Sequence, residues 1–490
     1  MAVEVRTTTV EKLYINGEWV EATGGATFEV KNPATGEVVA RAADATVEQA
    51  TAAIEAADRA FKPWSKMPAE QRAEILTRAY QIMIQPDRLE HIARVLTREN
   101  GKPLAESRGE LKQAASFIQW SAEEAKRVYG RTVPAAAENK RILVLKQPVG
   151  VVTAITPWNF PGSMITRKVT PALAAGCTVV LRPASQTPFT AIEIFKVFAE
   201  AGLPAGVANL ITSKKSAEIG KLFVEHPLVR KITFTGSTEV GKMLAAAATA
   251  HVKRTSMELG GHAPFLVFAD ADLDAAAQAV ISSKFRNAGQ TCICANRLYV
   301  ERSISETFGK KVADLTAALK VGNGLTDGTQ IGPLIDEAAR EKVEDQLQDA
   351  LAKGATLLVG GKRLTDGELN DGFFYAPTVV SGATDEMKVV TEETFGPLLP
   401  IIAFDSEAEA IEKANDTPYG LAAYYFTTNL GRMFRVAEGL DYGIVGCNDP
   451  LPTGAQLPFG GMKESGLGRE NGAEGIEAFL ETKTVSIGGI

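Results

Sequence analysis

Hydrophobic and polar positions change period along this chain, and the change divides it. Near the start the alternation is two-fold: residues 13–20 alternate around Asn16-Gly17, and 28–30 lead into a turn at Asn32-Pro33 and Gly36, which predicts short strands joined by turns. The spacing then becomes helical. Val47, Ala50, Ile54, Ala57 and Phe61 share one face of 46–61, residues 69–84 and 87–98 repeat the pattern, and 106–129 predicts a longer helix.

From Val149 onward short apolar runs alternate with helical segments. The runs 150–155, 178–181, 208–211 and 231–234 predict strands of a parallel sheet covered by helices. A second series, 264–268, 297–300 and 357–359, predicts a second α/β domain. Two β-like pieces stand outside both series: RILVLKQ within 131–147, and 482–487 near the end. Such strands suit an extension that pairs with a partner subunit.

A length of 490 residues implies at least two domains. No uninterrupted apolar segment approaches the roughly eighteen residues of a membrane span, and the opening residues lack a secretory pattern, so a soluble, cytoplasmic protein is expected. The net charge of −7, without a basic run interleaved with aromatics, argues against a nucleic-acid partner. Four cysteines in so long a chain predict reduced thiols, and four histidines without HExxH or paired CxxC give a metal little to bind.

Candidate chemistry gathers at a few places. Asn287-Ala288-Gly289-Gln290-Thr291-Cys292-Ile293-Cys294 follows Met257-Glu258-Leu259-Gly260-Gly261 by about thirty residues. Together they offer a nucleophile and a general base, which a thiol of ordinary pKa, about 8.5, needs at neutral pH. Cysteines near an apolar run also simply fill cores, but Gly, Gln, Asn and Thr make a better exposed loop than core. The stretch 234–242, FTGSTEVGK, follows a predicted strand and opens a helix, a setting that attracts phosphate. It falls short of a P-loop because Met243 stands where a hydroxyl would hold magnesium. The G-x-G-x-x-G dinucleotide fingerprint fails at Asn471 and at Asp327, so a dinucleotide would bind in a variant manner. In Thr156-Pro157-Trp158-Asn159-Phe160-Pro161, a strand-to-helix corner, Asn159 could donate to an oxyanion from a rigid turn.

TPWNFP, LRPAS, FTGSTEVGK, MELGG, NAGQTC, EETFGP and PFGGMKESGLGRE, in this order and spacing, resemble the aldehyde dehydrogenase superfamily over essentially the whole chain. ITRK, KFRNAGQTCICANR and MELGGHAP look most like its succinate-semialdehyde dehydrogenases. The resemblance implies an α/β fold with two parallel-sheet domains. Residues 1–128 with 147–258 would form a variant Rossmann cofactor domain, 259–470 a catalytic domain, and 129–146 with 471–490 a small β extension that makes a homodimer or homotetramer.

It also implies roles. Cys292 would be the nucleophile, Asn159 with the Cys292 backbone N–H the oxyanion site, and Glu258 the base that activates water. Relatives that acylate coenzyme A typically lack this glutamate. Thr156, Pro157, Trp158, Arg182, Ala184, Ser185, Gly236, Ser237, Leu259, Glu393 and Phe395 would hold the cofactor. NAD-preferring relatives usually carry a glutamate where this chain has Ser185, so NADP is expected to be preferred with NAD still usable; Arg182 departs from the usual lysine. Arg167 and Arg286 match positions that bind the substrate carboxylate, and Thr453 stands for the usual serine. A small semialdehyde is the implied substrate, succinic before glutaric. A coenzyme A-dependent acyltransferase and a catalytically silent relative are the alternatives of other classes. Cys294 is either an incidental loop residue or a reversible disulfide partner of Cys292, and His262 is read as structural.

Overall fold

Asn16 and Gly17 both take left-handed φ values, 54° and 87°, in the computed structural model. That is what a tight turn between right-twisted strands requires, and Leu13–Ile15 pairs antiparallel with Glu18–Val20 across it. The structure describes residues 10–490; residues 1–9, part of the segment read for a leader, lie outside the described residues.

The hairpin forms one edge of a large sheet. Across this sheet the order is Gly466–Leu467, Arg254–Glu258, Val229–Thr235, Val151–Ile155, Thr178–Arg182, Ala208–Leu210, then the two hairpin strands. The five strands between Arg254 and Leu210 in this order run parallel. Val151–Ile155, Thr178–Arg182 and Ala208–Leu210 are buried along their whole length, as parallel strands covered on both faces must be. Strand order reverses between Val151–Ile155 and Val229–Thr235, and a crevice opens outside the carboxyl ends at such a reversal. Thr156, Arg182, Thr235 and Glu258 all stand at those ends.

The helical spacing is realised as Val47–Lys66, Ala69–Met83, Pro86–Asn100 and Leu104–Ala125. Thr46 and Gln49 close a reciprocal capping box at the first. Leu104–Ala125 packs against the helix Pro161–Ala175, which is buried throughout.

A second sheet follows the order Thr356–Val359, Thr378–Ser381, Leu398–Phe404, Ala295–Glu301, Ala263–Val267, Ala422–Phe426, Ile444–Cys447. Here one expectation is corrected: Thr356–Val359 runs antiparallel to Thr378–Ser381. Only the three-residue 3-10 helix Gly367–Leu369 lies between these two strands, so the α-helical crossover that usually makes a parallel pairing is missing, and Leu357 and Leu358 stay partly exposed at the edge.

The two isolated β pieces find each other. Lys140–Pro148 pairs antiparallel with Leu480–Gly488 and with Arg131–Val133. Between these strands and the rest of the chain, Glu474–Glu477 is a helical turn against Pro161–Ala175, and Ile476 and Phe479 are buried. The tail of the expected catalytic segment also crosses over, Gly466–Leu467 pairing with Met257 and Glu258. Among the described residues, no helix is long and apolar enough to cross a membrane, and no group of three or more His, Cys, Asp or Glu could hold a metal.

Leu298 lies fully buried in the middle of the second sheet, between Phe265 and Ile401. Leu298→Ala is expected to cost about 2–5 kcal/mol, seen as a lower urea midpoint at unchanged slope; an unchanged midpoint would contradict this placement.

Candidate active site

The loop that carries Cys292 is wound against its own preference. After the helix Leu273–Phe285 the chain turns through Asn287 and Ala288 at φ 50° and 55°. Asparagine tolerates this region, alanine seldom adopts it, and such strain persists only when the surroundings impose it. The Asn287 N–H donates to Glu106 Oε2 at 2.8 Å, and its side-chain amide to the Asn159 carbonyl at 2.9 Å. Gln290 donates to the Asn287 carbonyl at 3.0 Å and accepts from the Ile335 N–H at 2.9 Å. A Cβ on Gly289 would lie 2.3 Å from the Gly396 carbonyl oxygen, so this position must be glycine.

The run Glu258-Leu259-Gly260-Gly261 closes the site from the other sheet. Gly261 lies so near the catalytic loop that a Cβ there would be 2.2 Å from the Cys292 carbonyl oxygen. Its N–H donates to Glu393 Oε1 at 2.9 Å, and the Gly260 N–H to Thr238 Oγ1 at 3.1 Å. One short run thus ties together the base, the thiol loop, Glu393 and the helix Thr238–Thr249. Glu258 is 2 % exposed, and its Oε2 is buried without a partner. Burial, then the nearby Glu470 carboxylate, raises its pKa well above the usual carboxylate range, with Arg167 opposing.

A cavity of 390 Å³ is lined by Pro157, Trp158, Asn159, Gly236, Ser237, Leu259, Cys292, Glu393 and Phe395, among others. Asn159 donates from Nδ2 to the Gln290 carbonyl at 3.1 Å, and a second hydrogen remains on that nitrogen. Trp158 and Phe395 meet edge to face at 5.6 Å, with Phe395 held at φ 54°. Ser237 caps the helix Thr238–Thr249 through its hydroxyl, leaving a helix start suited to an anion. The hydroxyls of Thr156 and Thr235 are buried with no partner. Unsatisfied hydroxyls, a helix start and apolar walls fit a dinucleotide.

The remaining expected residues lie outside this cavity's lining. The Thr156 N–H donates to the Arg182 carbonyl at 3.2 Å. The Arg182 guanidinium turns inward to the Ser213 carbonyl and the Ser216 hydroxyl, and burial lowers its pKa to about 10. Ser185 is half-buried and Ala184 buried. Arg167 stacks 4.0 Å from the Phe459 ring and pairs with Glu470 at 2.6 Å. Its charge is therefore shared with Glu470. Arg286 sits 5.1 Å from the Phe160 ring with a buried, unpartnered Nε. Thr453 is half-buried in the loop 449–458. Cys294 is buried, its thiol donating to the Lys284 carbonyl at 3.4 Å, and both it and Cys292 are free thiols. His262 is buried against the Val390 carbonyl at 2.6 Å.

The sequence reading missed Glu470 and Lys168, which pair at 2.5 Å beside Glu258. Both sat inside quoted motifs, ITRK and PFGGMKESGLGRE, yet their pairing joins positions 302 residues apart. It also missed Lys342, which reaches the cavity from the helix Glu337–Ala352.

A model of the aldehyde dehydrogenase family matches residues 19–485. The chain belongs to that family. It is 52 % identical to the 3-sulfolactaldehyde dehydrogenase of Pseudomonas putida, over 98 % of this chain and 97 % of that protein. It is 49 % identical to the NADP(+) succinate-semialdehyde dehydrogenase of Escherichia coli, over 98 % of both. The crystal structure of succinate-semialdehyde dehydrogenase from Burkholderia pseudomallei superposes with a TM-score of 0.95 at 48 % identity, covering 98 % of each chain. The protein is thus an oxidoreductase of the aldehyde dehydrogenase class, a family that works with NAD(P)+.

For this aldehyde dehydrogenase the resting thiol is well protected. Burial pushes the Cys292 pKa up to about 12, with Arg167 opposing. A raised thiol pKa means that the thiolate fraction grows about tenfold per pH unit until that value is approached. Alkylation of the cofactor-free protein by iodoacetamide is therefore expected to accelerate from pH 7 through pH 10 without levelling; a plateau below pH 9 would contradict it. Gly261→Ala should displace the Cys292 carbonyl and lower turnover about 100-fold in a protein that still folds, as circular dichroism and steady-state rates would show; normal rates would show the contact to be slack.

Proposed function

We propose that this enzyme oxidises a short aldehyde with an anionic far end, succinic semialdehyde foremost, to the free carboxylic acid, with NADP+ preferred over NAD+. Arg286 carries the reading: six residues before Cys292, it holds a buried guanidinium nitrogen with no partner, which a substrate carboxylate would satisfy. Arg167, shared with Glu470, and the Thr453 hydroxyl would border the same end. The relatives' names support an anionic substrate, since they include succinate-semialdehyde, glutarate-semialdehyde and 3-sulfolactaldehyde dehydrogenases.

In this reading Cys292 adds to the aldehyde carbon, and its backbone N–H with the Asn159 amide holds the oxygen as negative charge develops. Trp158, Glu393, Phe395, Ser237 and Gly236 would hold a dinucleotide, which when bound would supply the hydride acceptor. The acyl group stays on sulfur as a thioester until Glu258 takes a proton from water that attacks it. A base present beside the thioester favours hydrolysis over transfer to coenzyme A. Residues 129–146 and 471–490 are proposed to join like subunits, because Arg131–Val133 and Leu480–Gly488 each leave one edge unpaired at the sheet's margins.

Arg286→Ala should raise KM for succinic semialdehyde at least tenfold more than KM for butanal, and equal effects on both would sink the substrate class. Steady-state comparison should favour NADP+ over NAD+ in kcat/KM; a tenfold preference for NAD+ would overturn the roles given to Arg182 and Ser185. Acid release without coenzyme A is the outcome that excludes an acyltransferase.

A further inference from the structure

Lys102 lies in the turn between the helices Pro86–Asn100 and Leu104–Ala125, with no side-chain area exposed. Its ammonium donates to Glu110 Oε2 and to the main-chain carbonyl of Asn159, each at 2.6 Å, and stands 3.8 Å from the centre of the Phe160 ring. The same Asn159 carbonyl accepts the Asn287 amide at 2.9 Å. Glu110 uses its other oxygen to accept the N–H groups of Gly162 at 2.8 Å and Ser163 at 3.3 Å, at the start of the helix that follows the turn. Asn100 donates to the Trp158 carbonyl at 3.0 Å. The turn 158–160 is therefore gripped through its backbone from the neighbouring helix pair.

The side chain of Asn159 has far less to orient it. It makes one hydrogen bond, to Gln290, and its Oδ1 is buried without a partner. Where the amide points is decided by the peptide that carries it. A buried ion pair is also a weak source of stability, because desolvation offsets most of the attraction. Local stability therefore accounts poorly for an ammonium enclosed at this point.

We propose that Lys102 is a positioning residue for the oxyanion-binding amide of Asn159: with its charge balanced by Glu110, it pins the Asn159 carbonyl jointly with Asn287 and keeps Nδ2 aimed at the aldehyde oxygen beside Cys292. The ammonium acts through Asn159 and touches no reacting atom. The inference rests on the oxyanion role given to Asn159 above.

Lys102→Met tests it. Turnover should fall about 100-fold, the loss typical of a missing oxyanion donor. KM, equilibrium NADP+ binding by fluorescence titration and the rate of Cys292 alkylation should stay within twofold. The decisive measurement is a double-mutant cycle: Lys102→Met combined with Asn159→Ala should lose no more turnover than Asn159→Ala alone. A large loss in Asn159→Ala that multiplies with that of Lys102→Met overturns the part given to Lys102 and leaves Asn159 standing. Full turnover in Asn159→Ala overturns the oxyanion reading itself. Should Lys102→Met fail to fold, Lys102→Met with Glu110→Gln removes the ammonium without stranding a buried carboxylate, and keeps an acceptor for Gly162. Turnover of that variant within twofold of the parent would refute the proposal.

Discussion

Two backbones from different sheets meet where Gly261 lies against the carbonyl of Cys292, with room for hydrogen and no more. The rest of the site follows from that approach. The strand Arg254–Glu258 belongs to the first sheet and ends in Glu258; the loop 286–294 leads into the second sheet and carries Cys292. Because no side chain can stand between them, main-chain packing fixes how closely the two segments approach. The left-handed turn at Asn287 and Ala288 is strain held in place by Glu106, Asn159 and Gln290.

Enclosure then shapes the charges. Burial raises Glu258, Glu393 and Cys292 together, so the resting centre favours neutral acids and a neutral thiol. Positive charge is close but engaged: Arg167 and Lys168 with Glu470, Lys102 with Glu110. Arg286 differs from them in that its Nε is buried without a partner.

Much of this was legible in the sequence because it is local. The strand-to-helix rhythm after Val149 located the first sheet, and glycine-rich corners located the crevice, since period and turn chemistry act over a few residues. Of the seven strands in the second sheet the pattern named three, and it misjudged the direction of Thr356–Val359, because direction depends on connections and not on hydrophobicity. The motifs named Cys292 and Asn159, which line one cavity with Trp158, Ser237, Glu393 and Phe395. What escaped was pairing at long range. Arg286 and Arg167 look alike in the sequence, and only the approach of Glu470 from the far end of the chain separates them.

That distance along the chain gives the short strand Gly466–Leu467 a temporal meaning. It completes the edge of the sheet beside Met257 and Glu258, some two hundred residues after they emerge during synthesis. Closing so long a loop comes late in folding, so a nascent chain holds Cys292 well before the edge beside its base is finished. The edge of the sheet beside Glu258 is thereby left open until residues 466–467 have been made.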